Sequence, residues 1–130
     1  MGMKPKILLV DDLEEILAPL RKLLRSCELM EALDGRSAVE LAASGAPDLV
    51  LLDYHLPDMS GAEVLERLRQ LTPPPVVIMM TGDDTVETAG KALAAGAFAH
   101  ITKPFEAKDI LDLVIKGLEF AEKEKARLGN

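Results

Sequence analysis

Short runs of consecutive apolar residues alternate along this chain with stretches whose apolar residues recur every three or four positions. Ile7-Leu-Leu-Val10, Leu49-Val-Leu-Leu52 and Val76-Val-Ile-Met-Met80 are continuous runs, the last two entered through prolines. Runs of this length between turn signals read as strands buried on both faces. Glu28 to Ala32, with only Leu29-Met30 apolar, is a weaker strand, and Phe98-Ala-His-Ile-Thr102 is a fifth. Between them lie helical stripes. The first is Ile16, Leu17, Leu20, Leu23 and Leu24. A second helix is expected from Ser37, read as its N-cap after an Asp34-Gly35 turn, through Ala43, and Ser44-Gly-Ala-Pro47 stops it. A third carries Val64, Leu65, Leu68 and Leu71 and is broken by Thr72-Pro-Pro-Pro75. An Ala-rich fourth runs from about Val86 to Ala95, and a last one begins near Glu106 with Ile110, Leu111, Val114, Ile115 and Leu118.

Five alternations of strand and helix without a long linker predict an α/β domain: one doubly wound five-stranded parallel sheet, helices on both faces, joined by right-handed crossovers. The expectation is a single domain over 1–130, with a core of about 6–118. The remainder, 119–130, reads as a charged helix end or the start of a linker.

Composition narrows the function. The 130 residues carry 48% apolar and 28% charged side chains, a globular balance. The net charge of -7 argues against nucleic-acid binding by this domain, because phosphate contacts need a basic patch. It argues equally against an anionic membrane surface, and no apolar run approaches the ~20 residues of a membrane span. The chain begins directly in a strand pattern, without the look of a signal peptide. The single cysteine, Cys27, excludes an internal disulfide and fits a reducing cytoplasm; it reads as a small apolar filler.

The chemistry sits where the strands end. Strand one runs into Asp11-Asp12, strand three into Asp53, strand four into Thr81 and strand five into Lys103. In a parallel sheet these carboxyl ends share one edge, which is where ligands bind in open α/β sheets. Asp53 alone could be no more than a strand-to-loop turn former. Three carboxylates at one place repel each other and call for a cation. Hard oxygen ligands without His or Cys select Mg²⁺ or a similar ion. Such a site suits phosphoryl transfer: Asp53 would attack in line, Thr81 would hydrogen-bond one phosphoryl oxygen, and Lys103 and the metal would neutralise others.

The chain resembles the receiver domain of two-component response regulators, from about Lys6 to Leu118. The matching residues are Val-Asp-Asp at 10–12, Leu-Leu-Asp-Tyr-His-Leu-Pro-Asp-Met-Ser-Gly at 51–61, Met-Thr-Gly at 80–82 and Thr-Lys-Pro-Phe at 102–105. The resemblance implies the flavodoxin-like strand order 2-1-3-4-5. It implies that Asp53 accepts a phosphoryl group from the phosphohistidine of a sensor histidine kinase or a histidine phosphotransfer protein. Asp11, Asp12 and Asp53 would hold Mg²⁺, with the backbone carbonyl of His55 as a further ligand. Lys103 would pair with the phosphoryl group, the Lys103–Pro104 bond would be cis, and Thr81 would swing toward the phosphoryl group on activation. The readout would be the face of helix four, strand five and helix five, meeting a downstream effector, an output domain or a second copy as a homodimer.

Several positions depart from the family. His100 stands where Tyr or Phe is usual; it is expected to couple Thr81 to the outer face more weakly, unless it is simply a half-buried histidine. His55 and Asp83, two residues beyond Asp53 and Thr81, are expected to set the phosphoryl lifetime; otherwise they are solvated loop side chains. Between Asp12 and Asp34 the chain is a couple of residues short of the family pattern. Phe98 is either core or an extension of the apolar outer face, and the run Glu122 to Arg127 a solvated helix end. Two other functions stay in view. A Mg²⁺-dependent phosphatase with an aspartyl nucleophile usually has a second Asp where His55 stands. A phosphorylation-independent binding module has no need of the full set Asp11, Asp12, Asp53, Thr81 and Lys103. The expected protein is therefore not a turnover enzyme, but one that promotes its own phosphorylation and dephosphorylation.

Overall fold

The computed structural model describes residues 4–82 and 86–128. Five strands, β1 (Lys6–Val10), β2 (Glu28–Ala32), β3 (Leu49–Asp53), β4 (Val76–Thr81) and β5 (Ala99–Thr102), form one parallel sheet in the order β2-β1-β3-β4-β5. They alternate with helices α1 (Glu14–Leu23), α2 (Gly35–Gly45), α3 (Gly61–Leu68), α4 (Val86–Ala94) and α5 (Ala107–Arg127). The fold class and strand order are those expected.

Side-chain alternation along the strands splits the apolar interior into two layers. Leu8, Val10, Val50, Leu52, Val77 and Met79 pack with Ala38 and Ala42 of α2, Val64, Leu65 and Leu68 of α3, and Ala92 of α4. Ile7, Leu9, Leu49, Leu51, Ile78 and Met80 pack with Leu17 and Leu20 of α1 and Ile110, Val114 and Ala121 of α5. All five residues of β3 are buried, including Asp53. Each fully buried Leu contributes about 1.5–3 kcal/mol, so β3, like the equally buried β4, is firmly anchored.

Three helix boundaries differ from expectation, both ends of α2 and the end of α3. Helix α2 starts at Gly35, because Asp34 is the N-cap and its carboxylate accepts the Ser37 N–H at 2.8 Å; Ser37 is already helical. The helix ends at Gly45 with Ala46 in the left-handed region at φ 46. Helix α3 stops at Leu68, so Leu71 reaches the core edge from a turn and not from the helix stripe. Helix α5 continues through the charged run to Arg127. That run is mostly exposed, yet Ala121 is buried and Lys125 forms an ion pair with Asp48. Phe98 is half-buried; it packs on the α1/α5 layer and tilts against Phe120 at 5.3 Å between ring centroids. Cys27 is partly buried against the same layer. The Lys103–Pro104 bond is cis, and so is Thr72–Pro73, which the sequence had not signalled.

Candidate metal and phosphoryl site

The parallel register brings the strand ends to one edge. Asp53 closes β3 opposite Met80, one residue short of Thr81 at the end of β4, and Thr81 lies opposite Thr102 of β5. The main-chain N–H of Lys103 donates to the Thr81 carbonyl at 2.7 Å, which fixes the lysine beside strand β4. Asp11 follows β1 directly and is fully buried; its Oδ1 accepts the Leu13 N–H at 3.0 Å at the entry to α1.

From these positions the side chains converge. The Lys103 Nζ donates to Asp11 Oδ2 at 2.7 Å and to Asp53 Oδ1 at 3.1 Å. Asp11, Asp12 and Asp53 each offer an oxygen, and these oxygens lie within 4.8 Å of one another. Asp11 and Asp53 are buried whereas Asp12 is exposed. Like charges about 4 Å apart repel by roughly 4 kcal/mol at an effective dielectric near 20, and one ammonium offsets only one of three carboxylates. The cluster therefore favours an added cation, and an all-oxygen set with no His or Cys fits a hard divalent ion.

The titrating groups carry the same imprint. Burial, followed by the charge of Asp11, raises the Asp53 pKa above its ordinary value; the Lys103 bond and the His55 main-chain N–H oppose this without cancelling it. Burial pulls Lys103 downward, but its bonds to Asp11 and Asp53 outweigh burial and its pKa is raised. The surroundings thus favour the charged form of Lys103 and disfavour that of Asp53.

The remaining predicted residues fall around this centre. Thr81 is fully buried at the strand end. His55 is exposed on the β3–α3 loop, edge-on to Tyr54 at 5.1 Å, and bridges Ser60 in antiparallel fashion. His100 sits beside Met79 in the register, and its buried Nε2 has no hydrogen-bond partner among the described residues. Asp83 lies outside the described residues. Asp58, to which no role fell from the sequence, accepts the main-chain N–H groups of Gly35 at 2.7 Å and Arg36 at 3.0 Å. Its position in the loop after Asp53 was visible, but a bond to a helix 22 and 23 residues away leaves no mark in local pattern.

A doubly wound α/β domain with an acidic, lysine-braced cluster at the carboxyl edge of its sheet has the architecture of a phosphorylation-dependent signalling module. Within that class the chain belongs to the response regulator receiver domain family, whose model matches residues 7–115. It is 38% identical over 113 residues to the probable transcriptional regulatory protein TcrX of Mycobacterium tuberculosis, covering 85% of this chain and 48% of that protein. It is 34% identical to sporulation initiation phosphotransferase F of Bacillus subtilis, covering 89% of this chain and 95% of that protein. The CheY-like receiver domain protein from Methanospirillum hungatei superposes with a TM-score of 0.87 at 34% identity, over 94% of this chain and 99% of that one. The chain spans about half of TcrX and 26% of the Escherichia coli regulatory protein AtoC. It is a receiver domain of the two-component signalling class. No described helix is long and apolar enough to cross a membrane.

Proposed function

We propose that this domain is a phosphorylation-activated switch in which Asp53 takes a phosphoryl group from the phosphohistidine of a sensor kinase or a histidine phosphotransfer protein. One observation carries this reading: Lys103 bonds both Asp11 and Asp53 from distant parts of the chain, and the oxygens of Asp11, Asp12 and Asp53 lie within 4.8 Å of one another at a single sheet edge. In the step proposed, an Asp53 oxygen forms the new P–O bond as the donor's P–N bond breaks and its electron pair returns to the donor imidazole. Lys103 neutralises one phosphoryl oxygen and keeps Asp53 ionised, and the Thr81 hydroxyl bonds another. Asp11, Asp12, Asp53 and the His55 main-chain carbonyl would hold Mg²⁺, which supplies the charge neutralisation that a single lysine cannot.

Phosphorylation then shifts a two-state equilibrium read at the face of α4, β5 and α5. The partner there is a downstream effector, an output domain or a second copy, in a cytoplasmic setting. The burial of the His100 Nε2 without a bond supports its place in that switch, because an unpaired buried polar atom gains from any rearrangement that finds it a partner. His55 and Asp83 are proposed to govern how long the phosphoryl group survives. The domain acts on no external substrate.

Incubation with acetyl phosphate, followed by intact mass measurement, tests the core of this reading. Wild type with Mg²⁺ should gain one phosphoryl group. Asp53→Asn should gain none, and chelation should suppress the wild-type reaction. Phosphorylation that persists in Asp53→Asn would reject the assignment.

A further inference from the structure

The β3–α3 loop carries a fastening that the chemistry above does not use. Helix α2 begins with three main-chain N–H groups that its own turn cannot bond. Ser37 gives its N–H to the Asp34 carboxylate, the ordinary N-cap. Gly35 and Arg36 give theirs to the two oxygens of Asp58, a residue of a different loop. A carboxylate taking two N–H groups at a positively polarised helix end is a strong, directional tie. These same bonds hold the Asp58 pKa below the ordinary carboxylate range, so the tie is intact at neutral pH.

The neighbouring residue interlocks with the same helix start. A Cβ on Gly35 would meet Met59 Cγ at 2.4 Å, Met59 Sδ at 2.7 Å and Val64 Cγ2 at 2.9 Å. Met59 therefore lies directly on the first residue of α2, and only glycine leaves it room. Within the loop, His55 bridges Ser60, and the Gly61 N–H donates to the Tyr54 carbonyl at 2.6 Å. Tyr54 in turn is pinned to β4 through its N–H and the Met80 carbonyl at 2.9 Å. Residues 54–61 thus form a closed unit. Asp58 and Met59 tie its outer end to α2, while Tyr54 ties its inner end to the sheet.

What this unit presents to the site is the His55 backbone, two residues beyond Asp53, whose N–H favours the charged form of the Asp53 carboxylate. We propose that Asp58 is a positioning residue for the metal and phosphoryl site: by clamping the β3–α3 loop to the start of α2, it fixes the His55 backbone beside Asp53. The inference rests on the reading of Asp53 as part of a Mg²⁺-dependent phosphoacceptor site. It adds a determinant outside that site, three residues beyond His55 and bonded to a different helix.

The test uses the whole chain and reads the metal directly. Tyr54, the sole tyrosine in a chain without tryptophan, adjoins Asp53, so its emission reports Mg²⁺ binding. Asp58→Ala should raise the half-saturating Mg²⁺ concentration about tenfold, the scale on which residues that orient metal ligands act. Asp58→Asn keeps one acceptor oxygen and should fall between. Gly35→Ala, which pushes on Met59 from the other side, should shift it in the same direction. A purely structural tie would lower the melting temperature of these variants and leave half-saturation unchanged. Half-saturation within twofold of wild type in both folded Asp58 variants overturns the inference; if Asp58→Ala does not fold, Asp58→Asn and Gly35→Ala decide. A wild type without any saturable Mg²⁺ response overturns the underlying reading instead.

Discussion

Strand β3 has an aspartate at each end, and each aspartate faces a lysine. Asp48, just before the strand, accepts the Lys6 N–H at 2.9 Å and pairs with Lys125 from the end of α5. Asp53, closing the strand, pairs with Lys103 but shares it with Asp11 and lies beside Asp12. The Lys103 side chain is 16% exposed and that of Lys125 is 52% exposed. At the amino edge one carboxylate has partners enough, and the pair holds a helix end in place. At the carboxyl edge three carboxylates compete for one ammonium, and that deficit of positive charge is what a divalent metal can fill. A lysine–aspartate pair is therefore no signature in itself; the surplus of like charge around it separates a reactive site from a brace.

Substitutions at the two ends should diverge sharply. The largest effect is Asp53→Asn, which should abolish phosphoryl incorporation as read by intact mass, whereas Asp48→Asn should leave incorporation at the wild-type rate. Next is Lys103→Ala, which removes the fixed charge at the phosphoryl oxygens and should slow phosphorylation about 10²-fold or more, as loss of one preorganised charge-stabilising group does. Asp48→Ala should leave phosphorylation alone and cost about 1–3 kcal/mol in denaturant unfolding, because it strands the Lys6 N–H. Lys125→Ala should cost less than about 1 kcal/mol, the worth of a half-exposed pair. Equal kinetic losses from Lys103→Ala and Lys125→Ala would erase the distinction between the edges.

A pH experiment sharpens the same contrast. The folded-state pKa of Asp53 is raised above its ordinary 3.8. Between 3.8 and that raised value the folded protein binds more protons than the unfolded chain, so ionisation of Asp53 lowers stability as pH rises. Without Mg²⁺, Asp53→Asn should therefore melt at a higher temperature than wild type at pH 7. The gain should shrink as pH falls through the raised value and vanish below the unfolded one. Added Mg²⁺ should raise the wild-type melting temperature and leave Asp53→Asn nearly unmoved. A destabilised Asp53→Asn at pH 7 would contradict the strain assigned to this carboxylate.

Strands β1, β3 and β4 were legible because burial on both faces forces continuous apolar runs, and the position of Asp53 followed from the cost of a charge inside such a run. The convergence of Asp11, Asp53, Thr81 and Lys103 at one edge was legible for the same reason: parallel strands put their carboxyl ends on one side whatever the loops do. Contacts that join distant segments were not. The N-cap of α2 was placed three residues late because Ser37 is as good an N-cap type as Asp34, and only the bonds made by Asp34 and Asp58 decide between them. The continuation of α5 past Leu118 was expected as a charged helix end or the start of a linker; what spacing did not reveal is that Phe120, Ala121 and Lys125 meet neighbours there.

The central claim is that the carboxyl edge is organised to hold a divalent ion and a phosphoryl group together on Asp53. A crystal structure grown with Mg²⁺ and beryllofluoride, a mimic of the phosphoryl group, examines it most directly. The account predicts beryllium bonded to an Asp53 oxygen, a fluorine against the Lys103 Nζ and another against the Thr81 hydroxyl, and Mg²⁺ ligated from Asp11, Asp12 and Asp53. A structure in which Asp53 stays bare at saturating beryllofluoride, or in which the ion binds away from these carboxylates, would contradict it.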